Sequence, residues 1–254
     1  MKLMVLDGNS VINRAYYGVR ALTTRDGFFT NAIYGFLNIL EKLRADEKPD
    51  ALCVAFDLKA PTFRHLKYDG YKATRHPMPD ELAMQMPVMK DVLRAMRIPI
   101  FECEGWEADD VIGTIGKRCG HAGWDCVIVT GDRDSLQLID EHVTVKLVSS
   151  KLSQTVAVNY DPAKFREEYG FAPIHLIDLK ALMGDSSDNI PGVAGVGPKT
   201  ATQLLLDYGT LDGVYAHLDA VKEKLRAKLE QGRDSAYLSY DLATIRCEAP
   251  IEFS

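Results

Sequence analysis

The stretch Leu3-Met4-Val5-Leu6-Asp7-Gly8 is a short apolar run that ends in a carboxylate, and this pattern recurs along the first half of the chain. A second run, 52–56, is followed by Asp57, and a third, 126–131, is followed by Asp132. A further strand-like run covers 98–101, and segments with helical apolar spacing, 32–43, 82–96 and 111–119, lie between the runs. Strands that alternate with helices predict an α/β fold, with a mainly parallel central sheet flanked by helices.

The second half of the chain changes in character. Two more predicted strands cover 143–148 and 155–158, and a helix begins at Asp161-Pro162, an N-cap residue followed by proline. From 174 onward apolar residues recur at helical spacing, through 177–183, 201–206, 211–218 and 221–229. We therefore predict two domains, an α/β core over 1–173 with a basic arch near 58–80, and a helical region over 174–254.

Composition excludes several classes of protein. The chain has 254 residues, of which 46% are hydrophobic and 26% are charged, so it is neither disordered nor fibrous. No apolar stretch is long enough to span a membrane, and we expect a cytoplasmic protein. The net charge is −6, yet residues 58–76 carry five Lys or Arg side chains against one Asp. A basic segment in an acidic chain indicates a local anionic partner.

Three aspartates, Asp7, Asp57 and Asp132, follow predicted parallel strands and would emerge at the carboxyl edge of the sheet, where open α/β sheets bind ligands. Aspartate after a strand is also ordinary turn chemistry. A run of acids at 107–110 opens a predicted helix, which the helix dipole alone would favour. Two further acidic pairs, Asp132 with Asp134 and Asp185 with Asp188, could serve as helix caps. Together the candidates are Asp7, Asp57, Glu107, Asp109, Asp110, Asp132, Asp134, Asp185 and Asp188.

Nine carboxylates that converge cannot all stay ionised without cations, because like charges raise one another's pKa. Ligands that are all oxygen favour Mg²⁺, with Mn²⁺ as a substitute, over zinc. An excess of acids indicates two ions, the arrangement used for in-line attack on phosphodiesters.

Two other segments suggest contact with nucleic acid. Residues 60–75 mix cations with aromatic side chains, a combination that holds phosphates and stacks bases, although a solvated loop would look similar. Residues 191–200 form a glycine-rich turn before a predicted helix that begins near Pro198-Lys199. Pro198 argues against a P-loop, and we predict a helix–hairpin–helix that offers helix N–H groups and Lys199 to one phosphate. A purely structural helical hairpin is the alternative.

These motifs resemble those of the 5′-nuclease (flap endonuclease) family, and most of all the exonuclease domains joined to bacterial DNA polymerases. The matching segments are Leu6-Asp7-Gly8-Asn9, 32–36, 56–75, 105–110, 132–134, 184–189 and 192–200, which cover nearly the whole chain in the family's order. One departure is Gly131, where we expect a residue with a side chain.

The resemblance implies a PIN-like core, an arch and a helix–hairpin–helix, and it assigns roles to individual residues. The first metal cluster would be Asp7, Asp57, Glu107, Asp109 and Asp110, and the second Asp132, Asp134, Asp185 and Asp188. Lys72 would contact the scissile phosphate with help from Arg75. DNA contacts would come from Arg14, Arg64, Tyr71 (stacking at the 5′ end), Gly192, Gly195, Gly197, Lys199 and Thr200. A K⁺ ion is expected at the hairpin.

We therefore expect a metal-dependent 5′→3′ exonuclease and 5′-flap endonuclease of DNA replication and repair, leaving 5′-phosphate and 3′-hydroxyl ends. Its partners would be DNA with a 5′ flap, nick or free 5′ end, and a DNA polymerase that is covalently linked or acts with it. We expect a monomer at the bacterial nucleoid. The alternatives are a PIN-like ribonuclease and an inactive module that binds branched DNA.

Overall fold

The computed structural model describes residues 1–151 and 154–253. The chain forms two compact units. The sheet unit contains Met1–Ala60, Pro77–Asp161 and Arg246–Ser254, and the helical unit contains Pro61–His76 and Pro162–Ile245. Each unit is thus discontinuous in sequence. The predicted domain boundary at residue 173 stays a prediction.

The sheet unit is built on six strands in the order β3-β2-β1-β4-β5-β6. All neighbouring pairs are parallel except β5 and β6, which are antiparallel. This arrangement confirms the predicted mainly parallel α/β fold. The strands are β1 (Lys2–Asp7), β2 (Ala51–Ala55), β3 (Ile100–Phe101), β4 (Asp125–Thr130), β5 (Val143–Lys151) and β6 (Gln154–Tyr160).

The helices divide between the two units. Those of the sheet unit are α1 (Gly8–Gly18), α2 (Asn31–Glu47), α4 (Asp80–Ala83), α5 (Gln85–Ala95) and α6 (Ala108–His121). Those of the helical unit are α3 (Phe63–Lys67), α7 (Pro162–Tyr169), α8 (Leu176–Met183), α9 (Pro198–Tyr208), α10 (Leu211–Ala216), α11 (Glu223–Gln231) and α12 (Arg233–Ala243). Within the described residues no helix has the length and apolarity that crossing a membrane requires.

The main core lies on one face of the sheet. Met4 and Leu6 of β1 join a buried cluster with side chains of α1, α2 and α5, including Phe36 and Leu40. Leu3 and Val5 alternate with them and are also buried, and α6 packs on β1 and β4. Burial of both faces explains why the strand segments read as continuous apolar runs.

Two helical segments differ from the sequence prediction. The single helix predicted over 82–96 is two helices, α4 and α5, that meet at Met84. Pro87 lies in the first turn of α5 and has no N–H to bond the Ala83 carbonyl, so a continuous helix would lose a hydrogen bond there. Helix α1 was not predicted, although Asp7 caps it and its buried side chains recur at helical spacing.

In the helical unit, α7 begins at Pro162, as predicted. The turn that contains Tyr71 packs into a small core with Ile177, Ile190, Leu242 and Ala243. Segment 61–76 is therefore packed against the C-terminal helices of its own unit.

Candidate active site

Asp7 lies at the carboxyl end of β1 and is fixed by two hydrogen bonds. Its Oδ1 accepts from the Ser10 N–H at 2.9 Å, which makes it the N-cap of α1. Its Oδ2 accepts from the Thr130 hydroxyl at 2.7 Å, at the end of the neighbouring strand β4. The residue is 6% exposed. The carboxylate is thus held with its charge largely removed from solvent.

The electrostatics of Asp7 show that other carboxylates are near. Burial disfavours the charged form and raises the pKa of Asp7 to about 7, and the charges of Asp57 and Asp132 act in the same direction. Hydrogen bonds from Ser10 and Thr130 oppose the shift without cancelling it. The structure therefore brings Asp7, Asp57 and Asp132 within electrostatic reach of one another, and a cation among them would relieve the repulsion.

Asp57 follows β2 and is tied to the first turn of α6. Its Oδ1 accepts from the Ala108 N–H at 2.7 Å, and its own N–H donates to Asn9 Oδ1 at 2.9 Å. Asp57 is exposed, in contrast to Asp7. Its carboxylate is thus oriented by the helix N-terminus while one side of it faces solvent.

The acidic run at the start of α6 serves partly to cap the helix. Glu107 is the N-cap and Asp110 the third helical residue, and they form a capping box in which Asp110 Oδ2 accepts from the Glu107 N–H at 3.1 Å. Asp110 Oδ1 accepts from the Arg246 N–H at 2.9 Å, and Asp110 is fully buried. Asp109 Oδ1 accepts from the Ser135 hydroxyl at 3.3 Å. The metal-binding role of these acids stays a prediction.

Thr130 links the ends of β1 and β4. Its hydroxyl donates to Asp7 and accepts from the Asp132 N–H at 3.0 Å. Asp132 in turn begins the 3-10 helix Arg133–Leu138, because its Oδ1 accepts from the Asp134 N–H at 2.9 Å. Thr130 was not among the predicted site residues, and its only signal in the sequence is its place at the end of the β4 run.

Gly131 makes room for Arg14. A Cβ at Gly131 would lie 2.4 Å from Arg14 Nη2 and 2.9 Å from the Ser10 hydroxyl oxygen. Arg14 Nε is buried and has no hydrogen-bond partner among the described residues, and burial lowers the pKa of the guanidinium. The glycine noted as a departure from the family thus has a structural reason. A buried donor without a partner is unfavourable, so an anion beside Arg14 would be stabilised.

In the helical unit, Asp188 is surrounded by side chains of the basic segment. Its carboxylate accepts from the guanidinium of Arg75, lies 3.8 Å from Lys72 Nζ and accepts from the Tyr71 hydroxyl at 3.4 Å. The Asp188 carbonyl also accepts from the Lys72 N–H at 2.8 Å. The two predicted catalytic cations are therefore gathered at one predicted metal ligand.

Asp185 is paired with a buried lysine, Lys180, that was not among the predicted site residues. Lys180 Nζ donates to Asp185 Oδ2 at 2.5 Å, and the Ser187 N–H donates to Asp185 Oδ1 at 2.8 Å. Burial alone would raise the pKa of Asp185, but the Lys180 ammonium and the bonds from Ser187 lower it to about 2. Asp185 is ionised at neutral pH and already has a counter-ion.

Two predicted DNA contacts are placed differently from the expectation. Arg64 is 2% exposed, and its guanidinium donates to the carbonyls of Leu242 and Thr244, so it anchors α3 to the end of α12. Its predicted DNA contact stays a prediction and would require these bonds to open. Tyr71 is 4% exposed within its apolar cluster, so stacking on a 5′ base would require the ring to leave that cluster.

The glycine hairpin between α8 and α9 is held by α11 and α12. The Gly192 N–H donates to the Ser239 hydroxyl at 2.9 Å, and the Ser235 hydroxyl donates to the Gly192 carbonyl at 2.6 Å. Lys228 Nζ donates to the Gly195 carbonyl at 3.0 Å. Gly192 is buried within the hairpin, and its predicted DNA contact stays a prediction.

The start of α9 remains open to solvent. Gly197, Pro198 and Lys199 are exposed, and Thr200 is half-buried. Gly197 is the N-cap, and Pro198 is the first helical residue. The first N–H groups of this helix are thus presented beside a lysine, as an anion site requires.

Across residues 1–151 and 154–253, no three Asp, Glu, His or Cys side chains are placed to hold a metal ion together. The donor set nevertheless fits a hard divalent cation, because every candidate is a carboxylate and Asp7 is destabilised in its charged form. Binding would require side-chain adjustment toward the ion.

Comparison with known proteins identifies the family. A family model described as the 5′-3′ exonuclease N-terminal resolvase-like domain matches residues 2–170, and one described as the 5′-3′ exonuclease C-terminal SAM fold matches 171–254. The chain belongs to the 5′-3′ exonuclease family. The predicted resemblance is thereby confirmed.

Individual proteins similar to this chain include bacterial DNA polymerases. DNA polymerase I of Caldicellulosiruptor bescii is 49% identical over 99% of this chain and 30% of its own length, and that of Bacillus subtilis is 43% identical over 100% of this chain and 29% of its own length. The chain thus spans about 30% of these polymerases. Among solved structures, a T5 D15 flap endonuclease complex with DNA and metal ions has a TM-score of 0.75 at 21% identity, covering 96% of this chain and 89% of that one. This likeness shows the shared fold.

Proposed function

We propose that this 5′-3′ exonuclease family member hydrolyses DNA as a metal-dependent 5′→3′ exonuclease and 5′-flap endonuclease, leaving 5′-phosphate and 3′-hydroxyl ends. The observation that carries the proposal is the group of Asp7, Asp57 and Asp132 at the carboxyl edge of the sheet, in which the pKa of Asp7 is raised to about 7. Burial is the main cause of this shift, and the charges of Asp57 and Asp132 add to it. A buried carboxylate beside two others is stabilised in its charged form by a bound cation, and such a group is typical of a site for divalent ions.

Within this proposal each group of residues has a part. Asp7, Asp57, Glu107, Asp109 and Asp110 would hold one Mg²⁺ or Mn²⁺ ion, and Asp132, Asp134, Asp185 and Asp188 a second. When bound, such ions activate a water for attack and neutralise charge on the phosphodiester. Lys72 and Arg75 carry positive charge that would stabilise the extra negative charge of the transition state.

DNA recognition would use separate positive groups. The exposed start of α9, with Gly197, Lys199 and Thr200, offers N–H groups and an ammonium to a duplex phosphate. Arg14 would bind a second phosphate through its guanidinium, whose Nε has no hydrogen-bond partner among the described residues. Neither contact reads a base, so recognition would depend on the shape of the DNA.

Other parts of the proposal rest on the resemblance. A K⁺ ion at the hairpin would use carbonyls other than those of Gly192 and Gly195, because these two already accept hydrogen bonds. We also propose a monomer at the bacterial nucleoid that acts on nicks, flaps and free 5′ ends in replication and repair, joined to or acting with a DNA polymerase. The match to about 30% of polymerase I supports the last point.

The test is cleavage of a 5′-labelled flap DNA beside a matched single-stranded RNA, with Mg²⁺ and with chelator. We expect cutting of the flap near its junction, only with metal. Asp57→Asn should slow cutting on the order of 10³-fold, because a negative charge that would hold the metal ion is lost. Asp46→Asn, which removes an exposed carboxylate on α2, is the matched control and should cut at the wild-type rate.

Other outcomes would favour the alternatives. Cutting of the RNA instead of the flap would support the PIN-like ribonuclease. Tight flap binding without cutting would support a binding module and contradict the catalytic assignment of the carboxylates.

A further inference from the structure

The turn that carries Lys72 is attached to the Asp185–Ile190 loop by two hydrogen bonds that involve no charge. Asn189 Nδ2 donates to the Gly70 carbonyl at 2.7 Å, and the Lys72 N–H donates to the Asp188 carbonyl at 2.8 Å. Both bonds lie within the helical unit. They fix the main chain on either side of Tyr71.

The loop that presents Asn189 is itself closed. Asp185 and Ile190 exchange two main-chain hydrogen bonds, at 2.9 and 2.8 Å, and Ile190 is buried beside Tyr71. Asn189 has a φ of 55°, in the left-handed region that asparagine tolerates better than most residues. This conformation directs its amide from a closed loop to the Gly70 carbonyl.

Lys72 also has a φ of 55°, which is unfavourable for a lysine. The turn therefore needs outside contacts to keep this shape. Its contacts include charged ones, between Asp188 and the Lys72 and Arg75 side chains, and uncharged ones, which are the hydrogen bonds made by Asn189 and by the Asp188 carbonyl and the apolar packing of Tyr71. The uncharged contacts do not depend on what the Asp188 carboxylate binds.

We propose that Asn189 is a positioning residue of this nuclease, which holds the Gly70–Lys72 turn so that Lys72 and Arg75 stay in place when their ion pairs with Asp188 are exchanged. The proposal rests on the function proposed above, in which Asp188 binds a metal ion and Lys72 acts on phosphate. The amide bond to Gly70 survives that exchange, because it depends on no charge.

The first test needs neither metal nor DNA. Trypsin cleavage of the full chain after Lys72 and Arg75, located by mass spectrometry, reports how often the turn opens. Asn189→Gly keeps the left-handed backbone and removes the amide, and Asn189→Asp keeps the size of the side chain but removes the donor. Both should speed cleavage at these sites about three- to tenfold, as expected for loss of one hydrogen bond. Ser186→Gly, at an exposed position of the same loop, is the control and should match wild type.

The second test separates positioning from stability. In Asn189→Gly, kcat for flap cutting should fall several-fold, while the Kd for a nicked duplex without a flap should equal that of wild type. Unchanged trypsin cleavage after Lys72 and Arg75 in both variants would overturn the proposal. Equal acceleration after Arg166 of α7 would overturn it too, because that pattern means general loosening of the unit. If wild type cuts no flap, the proposed function fails while the trypsin result still decides the role of Asn189.

Discussion

Asp7 is a buried carboxylate at the sheet edge, and burial disfavours its charged form. In the unfolded chain it ionises near its ordinary pKa of 3.8, and in the folded chain near 7. Between these values the native state keeps a proton that the unfolded state has lost, so the free energy of unfolding falls as pH rises. Above pH 7 that loss is complete.

Asp7→Asn should remove this pH dependence, because an asparagine can still cap α1 but does not titrate. With chelator present, the stability of wild type relative to Asp7→Asn should fall by about 1.4 kcal/mol per pH unit between pH 4 and 7. Urea unfolding across this range measures the difference. A wild-type-minus-variant difference that stays constant with pH would contradict the assignment.

Gly131→Ala should displace the Arg14 guanidinium, since the new Cβ would lie 2.4 Å from Nη2. We expect the Kd for flap DNA, measured by fluorescence anisotropy with Ca²⁺ in place of Mg²⁺, to rise by a similar factor in Gly131→Ala and Arg14→Ala. Gly120→Ala on α6 is the control, because its Cβ would meet its nearest neighbour at an ordinary 3.5 Å. An unchanged Kd in Gly131→Ala would show that the guanidinium is not needed in its present place.

At the level of elements, α12 supports the hairpin before α9. Ser239→Ala would leave the buried Gly192 N–H without its acceptor, which costs about 1–3 kcal/mol. We expect a lower Tm and weaker binding of nicked duplex, because the first turn of α9 is then less well placed. Ser186→Ala, at an exposed site, should change neither quantity. Equal duplex binding in both variants would mean that the hairpin does not depend on α12.

The elements that were predictable are those whose pattern is local. Apolar runs followed by aspartate predicted the parallel strands β1, β2 and β4, and Asp161-Pro162 predicted the start of α7. Helix α1 was missed because Asp7-Gly8-Asn9-Ser10 resembles a turn after the strand, and its apolar buried face consists of only Val11, Ile12 and Ala15. The split at Met84 depends on a single missing N–H at Pro87.

The candidate site was predictable in its residue types but not in its contacts. Carboxylates after strands are visible in the sequence. The ion pair of Asp188 with Arg75 joins residues far apart in the sequence, and the pair of Asp185 with Lys180 depends on the turn after α8, so neither pair could be predicted. Arg64 and Tyr71 look like surface residues in a basic, aromatic segment, yet both are buried, because the segment packs into the core of the helical unit.

For the whole molecule, a net charge of −6 means that the proposed binding of DNA would depend on a few local cations. If roughly three or four phosphates are contacted, the Kd for flap DNA should rise on the order of 10²-fold between 50 and 200 mM salt. Lys199→Ala should lower the slope of log Kd against log salt by about one, measured by anisotropy with Ca²⁺. An unchanged slope would remove Lys199 from the DNA interface.

The path of the chain between its two units limits how the molecule can be recombined. The backbone passes from one unit to the other near residues 60, 76, 161 and 245, and the last passage brings the Arg246 N–H to Asp110 and the Ala249 N–H to Thr114. A chimera of two relatives joined at a single point near 161 would therefore combine mismatched halves within both units. Exchange of the intact helical unit requires two segments to be moved together, 61–76 and 162–245, and exchange of the intact sheet unit requires three.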